Sequence, residues 1–504
     1  AAADYPAGWP ELPALLQAGL RAGAVGALVG LRAVLRNVAG AGRSDAHWPA
    51  LCALVDATFP LLEQAAEVLR TQTPLYRPGA VCEPQLYETE ALLVRVFRAS
   101  TTGTLPPHFH SADAMSRWLV FLSSVLGRVL QPQCGGVPHK LWWKAPLRAT
   151  LVALALLVRF GRAPRRGGEA SLRTALAPFR NQYACEYAMA MARALAQYHT
   201  LRVPADVAYF MLSYLGHTAR YKKLYTALQP HVLALLTQVV FPLCCPPPQT
   251  LQLAVASPLE FLQSEFACGY DSSDGEDGTD GGDDFMMRTQ GARAVLVEFC
   301  TLRAKDVLVP CMQFVARVLG EAAAANDVAR KYAGLTVVAA LENVLKDHED
   351  DALGHQLVPM VSALVLPDLA HPHPLLRAQA CWTFACYSSL DWSGAPQAFA
   401  AACQAVLAMA HSDTNEVVAV HAARALTRLV ETDAGRELLR PALGQVLEAL
   451  YRQVDRTDIE LDELVDALST VAREYGAAVA PHALAMCAHL AASFGRALTS
   501  LAGA

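Results

Sequence analysis

The sequence is poor in aromatics, in charge and in long apolar runs. Phe, Trp and Tyr make up only 8 % of its 504 residues, which argues against a β-rich fold. Charged residues are low at 17 %. No run reaches the ~20 apolar residues that span a bilayer. The best, Leu147 to Leu157, is interrupted by Arg148 and ended by Arg159 and Arg162, so no membrane insertion is expected. Asp4 and Pro6 stand where a signal peptide would be basic and then apolar. An initiator Met and a polar C-terminal tail are both missing, so the chain reads as the middle of something longer. The 13 cysteines are scattered, and the one adjacent pair, Cys244 and Cys245, suits neither zinc nor an ordinary disulfide. They read as buried thiols of a reducing compartment. There is no phosphate-binding glycine loop, nucleophile elbow or paired acid–base motif. No catalytic residue, metal or cofactor is expected.

What is present is apolar and helical. The apolar fraction is 54 %, above the ~45–50 % usual for soluble domains, with much of the excess in Ala, Leu and Val. Disorder, a collagen-like chain and a small disulfide scaffold are excluded. Leu28, Leu31, Leu35 and Val38 share one helical face with Val25. Similar runs follow at about 47–71, 86–100, 111–130, 140–161, 181–199, 204–217 and 222–241. They resume at about 287–302, 306–323, 327–347, 355–366, 374–390, 396–410, 414–431, 436–453, 459–475 and 478–498. Pro and Gly cluster between runs, at 132–138, 163–168, 242–248 and 269–282. Asp413 is expected to cap the helix after it, with Glu416 completing a capping box.

The last third repeats. Leu375–Leu390, Val417–Thr432 and Ile459–Glu474 superpose at a shift of 42 residues, aligning Cys381 with Ala423 and Val465, and Phe384 with Leu426 and Leu468. One residue out of step, Val338 and Leu341 take those places a unit earlier. Two helices per 42 residues is the period of HEAT or armadillo repeats. The expected fold is therefore all-α: an α-solenoid superhelix of about ten HEAT/armadillo-type helix pairs, with an inner surface suited to wrapping a partner. The division expected is solenoid over 1–268, an acidic Gly/Asp-rich flexible loop over 269–285, and solenoid again over 286–504.

Asp4-Tyr5-Pro6, Trp142-Trp143-Lys144, Val240-Phe241-Pro242-Leu243-Cys244 and Leu376-Arg377-Ala378-Gln379-Ala380-Cys381-Trp382 follow one another along the chain in an order that resembles the karyopherin-β nuclear transport receptors, most closely the importin seven and importin eight group. Asp4-Tyr5-Pro6 with Trp9 resembles that family's DYP-x-x-W entry, and Trp142-Trp143-Lys144 its WWK segment. Gln229-Pro230-His231 followed by Val240-Phe241-Pro242-Leu243-Cys244 resembles its PH…IFPLMC stretch. Leu376-Arg377-Ala378-Gln379-Ala380-Cys381-Trp382 resembles MRARACW; Glu474-Tyr475, Val479-Ala480-Pro481 and His489-Leu490-Ala491 resemble the EY…VTP…HLA close. The resemblance implies a central fragment of a nuclear import receptor that shuttles between cytoplasm and nucleus through the pore. The implied partners are basic protein cargo such as ribosomal proteins or histones, phenylalanine-glycine (FG) nucleoporin repeats and the small GTPase Ran in its GTP form. Direct nucleic-acid binding is not implied. A HEAT scaffold outside transport and a karyopherin of the export class are the alternatives.

The charge is local. Asp271, Asp274, Glu276, Asp277, Asp280, Asp283 and Asp284 put seven carboxylates in one short stretch; without them the net charge moves from −5 to +2. Four interspersed glycines oppose helix and the charges repel, so a loop is expected. It reads either as a solvated linker or as a polyanionic lure for basic partners, acting over ~8 Å at physiological salt. The register of an EF-hand calcium loop is absent. Ser273 with Glu276 resembles an acid-directed phosphorylation site. The family's acidic loop follows its FPLC segment more closely than here, where Pro246-Pro247-Pro248 and Ser257-Pro258-Leu259-Glu260-Phe261-Leu262 intervene, so position alone carries that role over.

Other constellations read as loops or helix ends. His108-Phe109-His110 and His371-Pro372-His373 lack the Cys or carboxylate set of a metal site. Basic residues gather at Lys140, Lys144 and Arg148, at Arg159, Arg162, Arg165 and Arg166, and at Arg220, Lys222 and Lys223. They read as solvated helix ends or as a contact for an acidic surface. Without interleaved aromatics they do not read as a nucleic-acid site.

Overall fold

The structure is a computed structural model that describes residues 9–40, 47–77, 83–101, 105–131, 137–161, 170–266, 284–348, 351–454 and 462–503. No strand occurs among them. Helices of eight or more residues are labelled here in chain order. They are α1 Leu12–Arg21, α2 Val25–Gly40, α3 His47–Gln72, α4 Pro84–Thr101, α5 Ala112–Arg128, α6 His139–Phe160, α7 Ala184–Ala196, α8 Ala205–Thr218 and α9 Lys222–Ala234. There follow α10 Pro248–Ala256, α11 Pro258–Phe266, α12 Asp284–Leu302, α13 Ala304–Ala325, α14 Val328–Ala340, α15 Leu357–Leu364, α16 Pro374–Cys386, α17 Pro396–Ser412, α18 Glu416–Glu431, α19 Leu443–Val454, α20 Asp462–Tyr475 and α21 Ala483–Gly503. The chain forms two compact units, residues 1–232 and 233–504.

Each unit is two parallel rows of helices. In the first, α1, α3, α5 and α7 pack in succession, as do α2, α4, α6 and α8. In the second, α17, α19 and α21 form one row and α12, α14, α16, α18 and α20 the other. This is the HEAT-type α-solenoid expected from the 42-residue period. The positions that superpose in sequence are the seam of the second row: Val338, Leu341, Cys381, Phe384, Ala423, Leu426 and Leu468 are all buried. Phe384 meets Trp392 and Phe399 edge-on and tilted, at 5.7 and 5.6 Å between ring centroids, and so joins the rows. The N-terminal run shows the limit of periodicity: Leu28, Leu31, Leu35 and Val38 are buried, but Val25 is 43 % exposed.

Ion pairs register successive repeats. Lys331, the fourth residue of α14, binds Asp368 at 2.5 Å, and Arg377, the fourth residue of α16, grips both carboxylate oxygens of Asp413 at 3.1 Å. That contact corrects the expected cap of α18. Asp413 is held by Arg377 and the backbone N–H of Asn415; Asn415 is the cap, accepting from Val417 N at 3.0 Å. Glu416 is the first helical residue, too early to close a capping box.

Two further differences concern helix content. The break expected around 242–286 contains α10 and α11, each with Pro at its first position, where a missing N–H costs nothing. Among the described residues three helical segments, His139–Phe160, Lys222–Leu243 and Ala304–Ala325, are long and apolar enough to cross a membrane, where none was expected. In α6 the apolar residues form solenoid core: Trp142, Trp143, Ala149, Val152 and Leu156 are buried, and the helix packs between α4 and α8.

Candidate functional site: the stem of the acidic segment

Six of the seven acidic residues singled out by sequence, Asp271, Asp274, Glu276, Asp277, Asp280 and Asp283, lie outside the described residues. Asp284 is exposed and opens α12, where the partial positive charge of a helix N-terminus favours a carboxylate. The structure does define what holds the segment at each end.

On the N-terminal side α11 lies against α18 and α10 against α16. The α11 helix buries Phe261 and Leu262 completely and ends in a polar–aromatic clasp. Glu265 Oε2 is 2.9 Å from Nε2 of His421. Burial of Glu265 would raise its pKa, but the His421 ring and the charges of Arg424 and Arg293 outweigh that and hold the carboxyl below its ordinary value. Phe266 stacks on His421 at 6.2 Å between centroids. Arg424 sits between two rings, its guanidinium carbon 5.0 Å from the centroid of Phe266 and 4.8 Å from that of Trp382. Flat, weakly hydrated guanidinium groups suit such a sandwich, worth about 0.5–2 kcal/mol per face. Arg428 continues the ladder 5.4 Å from Trp382 and forks onto Glu342, which also binds Lys346 at 2.8 Å. Asn415 Nδ2 donates to Ala254 O at 3.0 Å, tying α10 to the start of α18.

On the C-terminal side Phe285 is buried against Tyr332 of α14, at 6.3 Å, with Arg288 over its ring at 5.3 Å. Arg288 also donates to Cys245 O at 3.3 Å. Burial pushes the Tyr332 phenol up, and the charge of Glu265 pushes it further. Glu265 and Tyr332 therefore share one electrostatic neighbourhood, and the described residues that flank the acidic segment are the end of α11 and the start of α12. Among the described residues no group of three or more His, Cys, Asp or Glu is placed to hold a metal.

The remaining sequence candidates go to structure. His108 Nε2 is 2.8 Å from Glu63 Oε1, with Arg117 2.8 Å from the other oxygen. His373 caps α16 through Nδ1 and Leu375 N at 3.3 Å, and His371 braces the same turn. Burial lowers the pKa of both His371 and His373. Cys244 and Cys245 are pushed up by burial to about 12 and about 11, as unreactive thiols. Asp4, Tyr5, Pro6, Arg162, Arg165 and Arg166 lie outside the described residues. The clasp itself was hidden from sequence, because α11 was not expected; only the Trp382 and His421 segments stood out.

Known proteins give this arrangement a context. The chain is 25 % identical over 98 % of its length to an importin beta-like SAD2 homolog of Arabidopsis thaliana, covering 46 % of that protein. It is 24 % identical over 89 % of its length to a probable importin-7 homolog of Dictyostelium discoideum, covering 41 % of it, and 24 % identical over 81 % to importin-8 of Homo sapiens, covering 38 %. The chain is similar to importins of the karyopherin-β class. It spans less than half the length of these importins. No family model matches it. Among solved structures, the exportin Cse1 in its cargo-free, cytoplasmic state superposes with a TM-score of 0.61, 13 % identity, over 94 % of this chain and 49 % of that one. Lph2, a bidirectional nuclear transport receptor of S. cerevisiae, superposes with a TM-score of 0.57, 14 % identity, over 94 % and 47 %. These likenesses show the karyopherin HEAT-repeat fold; the importin resemblance rests on sequence.

Proposed function

We propose that the chain is part of a nuclear import receptor that binds protein cargo, FG nucleoporin repeats and Ran, and moves between cytoplasm and nucleus. The observation that carries this reading is the collinear importin similarity over 98 % of the chain, joined to a HEAT-type fold. The site is one for binding, not catalysis. The acidic segment attracts basic cargo through its field, and the clasp of Glu265 and Phe266 on α18 fixes where that field originates. Cargo and Ran compete, because each favours a different arrangement of the same repeats.

A titration with GTP-loaded Ran tests the direction. The affinity for a basic cargo, such as a histone tail, falls as Ran is added. A rise in affinity instead assigns the export class, which the Cse1 likeness keeps as the second reading. Cargo binding that Ran leaves unchanged supports a scaffold outside transport.

A further inference from the structure

One basic cluster from the sequence is not accounted for by import. In the first unit a groove of about 330 Å³ opens between the C-terminal end of α6, the turn before α7 and the start of α9. Gly161 lets the ring of Tyr221, one wall of the groove, close over its backbone: a Cβ there would lie 2.5 Å from that ring. The polar wall is Arg180, Asn181, Tyr221 and Lys223, and no carboxylate lines it among the described residues. Leu157, Ala184 and Leu224 make an apolar floor.

The cations here are poorly compensated. Arg180 donates one terminal nitrogen to Arg173 O at 2.8 Å; the other is shielded from solvent with no acceptor among the described residues. Burial lowers the pKa of Arg180 with no offsetting negative charge, in contrast to Arg428, whose partner Glu342 raises it despite burial. Lys223 is 2.6 Å from the amide oxygen of Asn181, a neutral partner. Sequestering a cation without a counterion is unfavourable, and an anionic ligand relieves it. Lys223 and Leu224 stand in the first turn of α9, whose N-terminus adds positive partial charge.

We propose that this groove binds an acidic, apolar segment of a partner protein, its carboxylate held by Arg180 and Lys223 and a neighbouring aliphatic or aromatic side chain resting on the Leu157–Leu224 floor. The volume falls within the ~300–1,000 Å³ of ordinary ligand sites, larger than a single inorganic anion needs, and a bare anion makes no use of the floor. The site is opposite in sign to the acidic segment, so one chain holds an acidic partner and a basic cargo at different places. The inference does not depend on the import reading.

The test is fluorescence anisotropy of a labelled peptide of alternating Glu and Leu, against the same peptide with Gln for Glu, titrated with the whole chain. The Glu peptide binds and weakens with added salt, and the Gln peptide does not bind. Arg180→Ala and Lys223→Ala each reduce the affinity about tenfold, the scale of one charge-assisted hydrogen bond. Lys223→Glu abolishes binding, and because Lys223 is exposed this variant keeps the fold, as circular dichroism verifies. Hydrogen exchange slows at 173–184 and 221–228 in the bound state. Equal binding of the Gln peptide, or unchanged affinity in Lys223→Glu, overturns the proposal. Failure of the Glu peptide alongside saturable, Lys223-dependent binding of inorganic phosphate or single-stranded RNA overturns it in favour of a general anion site.

Discussion

Replacing Arg128 by alanine destabilises the first unit by about 3–5 kcal/mol. The Arg128 and Glu90 side chains are both fully excluded from solvent, with Arg128 Nη2 2.5 Å from Glu90 Oε2 and Nε 3.2 Å from Oε1. Tyr76 donates its hydroxyl to Glu90 Oε1 at 2.6 Å, and Arg128 also donates to Trp142 O at 3.2 Å. The guanidinium carbon lies 4.5 Å from the centroid of the Trp142 ring and 5.2 Å from that of Tyr87. Burial and the Glu90 carboxylate push the Tyr76 phenol well above its ordinary pKa, so its hydroxyl remains a donor to Glu90 near neutrality. Removing Arg128 leaves a carboxylate in the core with one neutral donor. The double variant Glu90→Leu with Arg128→Met recovers most of the loss, since apolar replacements of buried ion pairs are often neutral or stabilising. Urea unfolding followed by tryptophan fluorescence and by circular dichroism measures both. A loss under about 1 kcal/mol in Arg128→Ala contradicts an unbalanced core charge.

Neutralising the seven acidic residues from Asp271 to Asp284 with Asn or Gln lowers the affinity for a basic cargo by about tenfold or more at low salt. The salt dependence flattens in parallel, because the field that salt screens is gone. Removing these charges takes the chain from −5 to +2, so repulsion of a basic partner replaces attraction. The stem variants Glu265→Gln and Phe266→Ala keep every charge of the segment but weaken its anchor on α18. They leave the salt slope in place and lower affinity less. Unchanged cargo affinity after neutralisation reduces the segment to a linker.

The repeat was legible because its seam uses small and apolar residues at fixed spacing: Cys381, Phe384, Ala423, Leu426 and Leu468 line up in sequence and are all buried. Long helices were likewise visible from their period of three to four. The helices α10 and α11 were not, because proline-rich flanks read as loop and nine residues give only about two and a half turns of periodicity. The clasp followed them out of sight, since Glu265 meets His421 across 156 residues, a pairing no local pattern encodes. The cap at Asn415 was missed for a related reason: Asp413 has the right chemistry, but Arg377, brought alongside by the repeat stacking, holds it. The groove beside Gly161 also depends on tertiary contact, although its Lys223 belonged to a basic cluster apparent in sequence.

A chain that is part of a transport receptor binds FG repeats. The purified chain is titrated with an FG nucleoporin repeat and with a version carrying serine for phenylalanine. The first is expected to bind saturably and the second not at all. Absence of binding to either by a chain that circular dichroism shows to be helical contradicts that role.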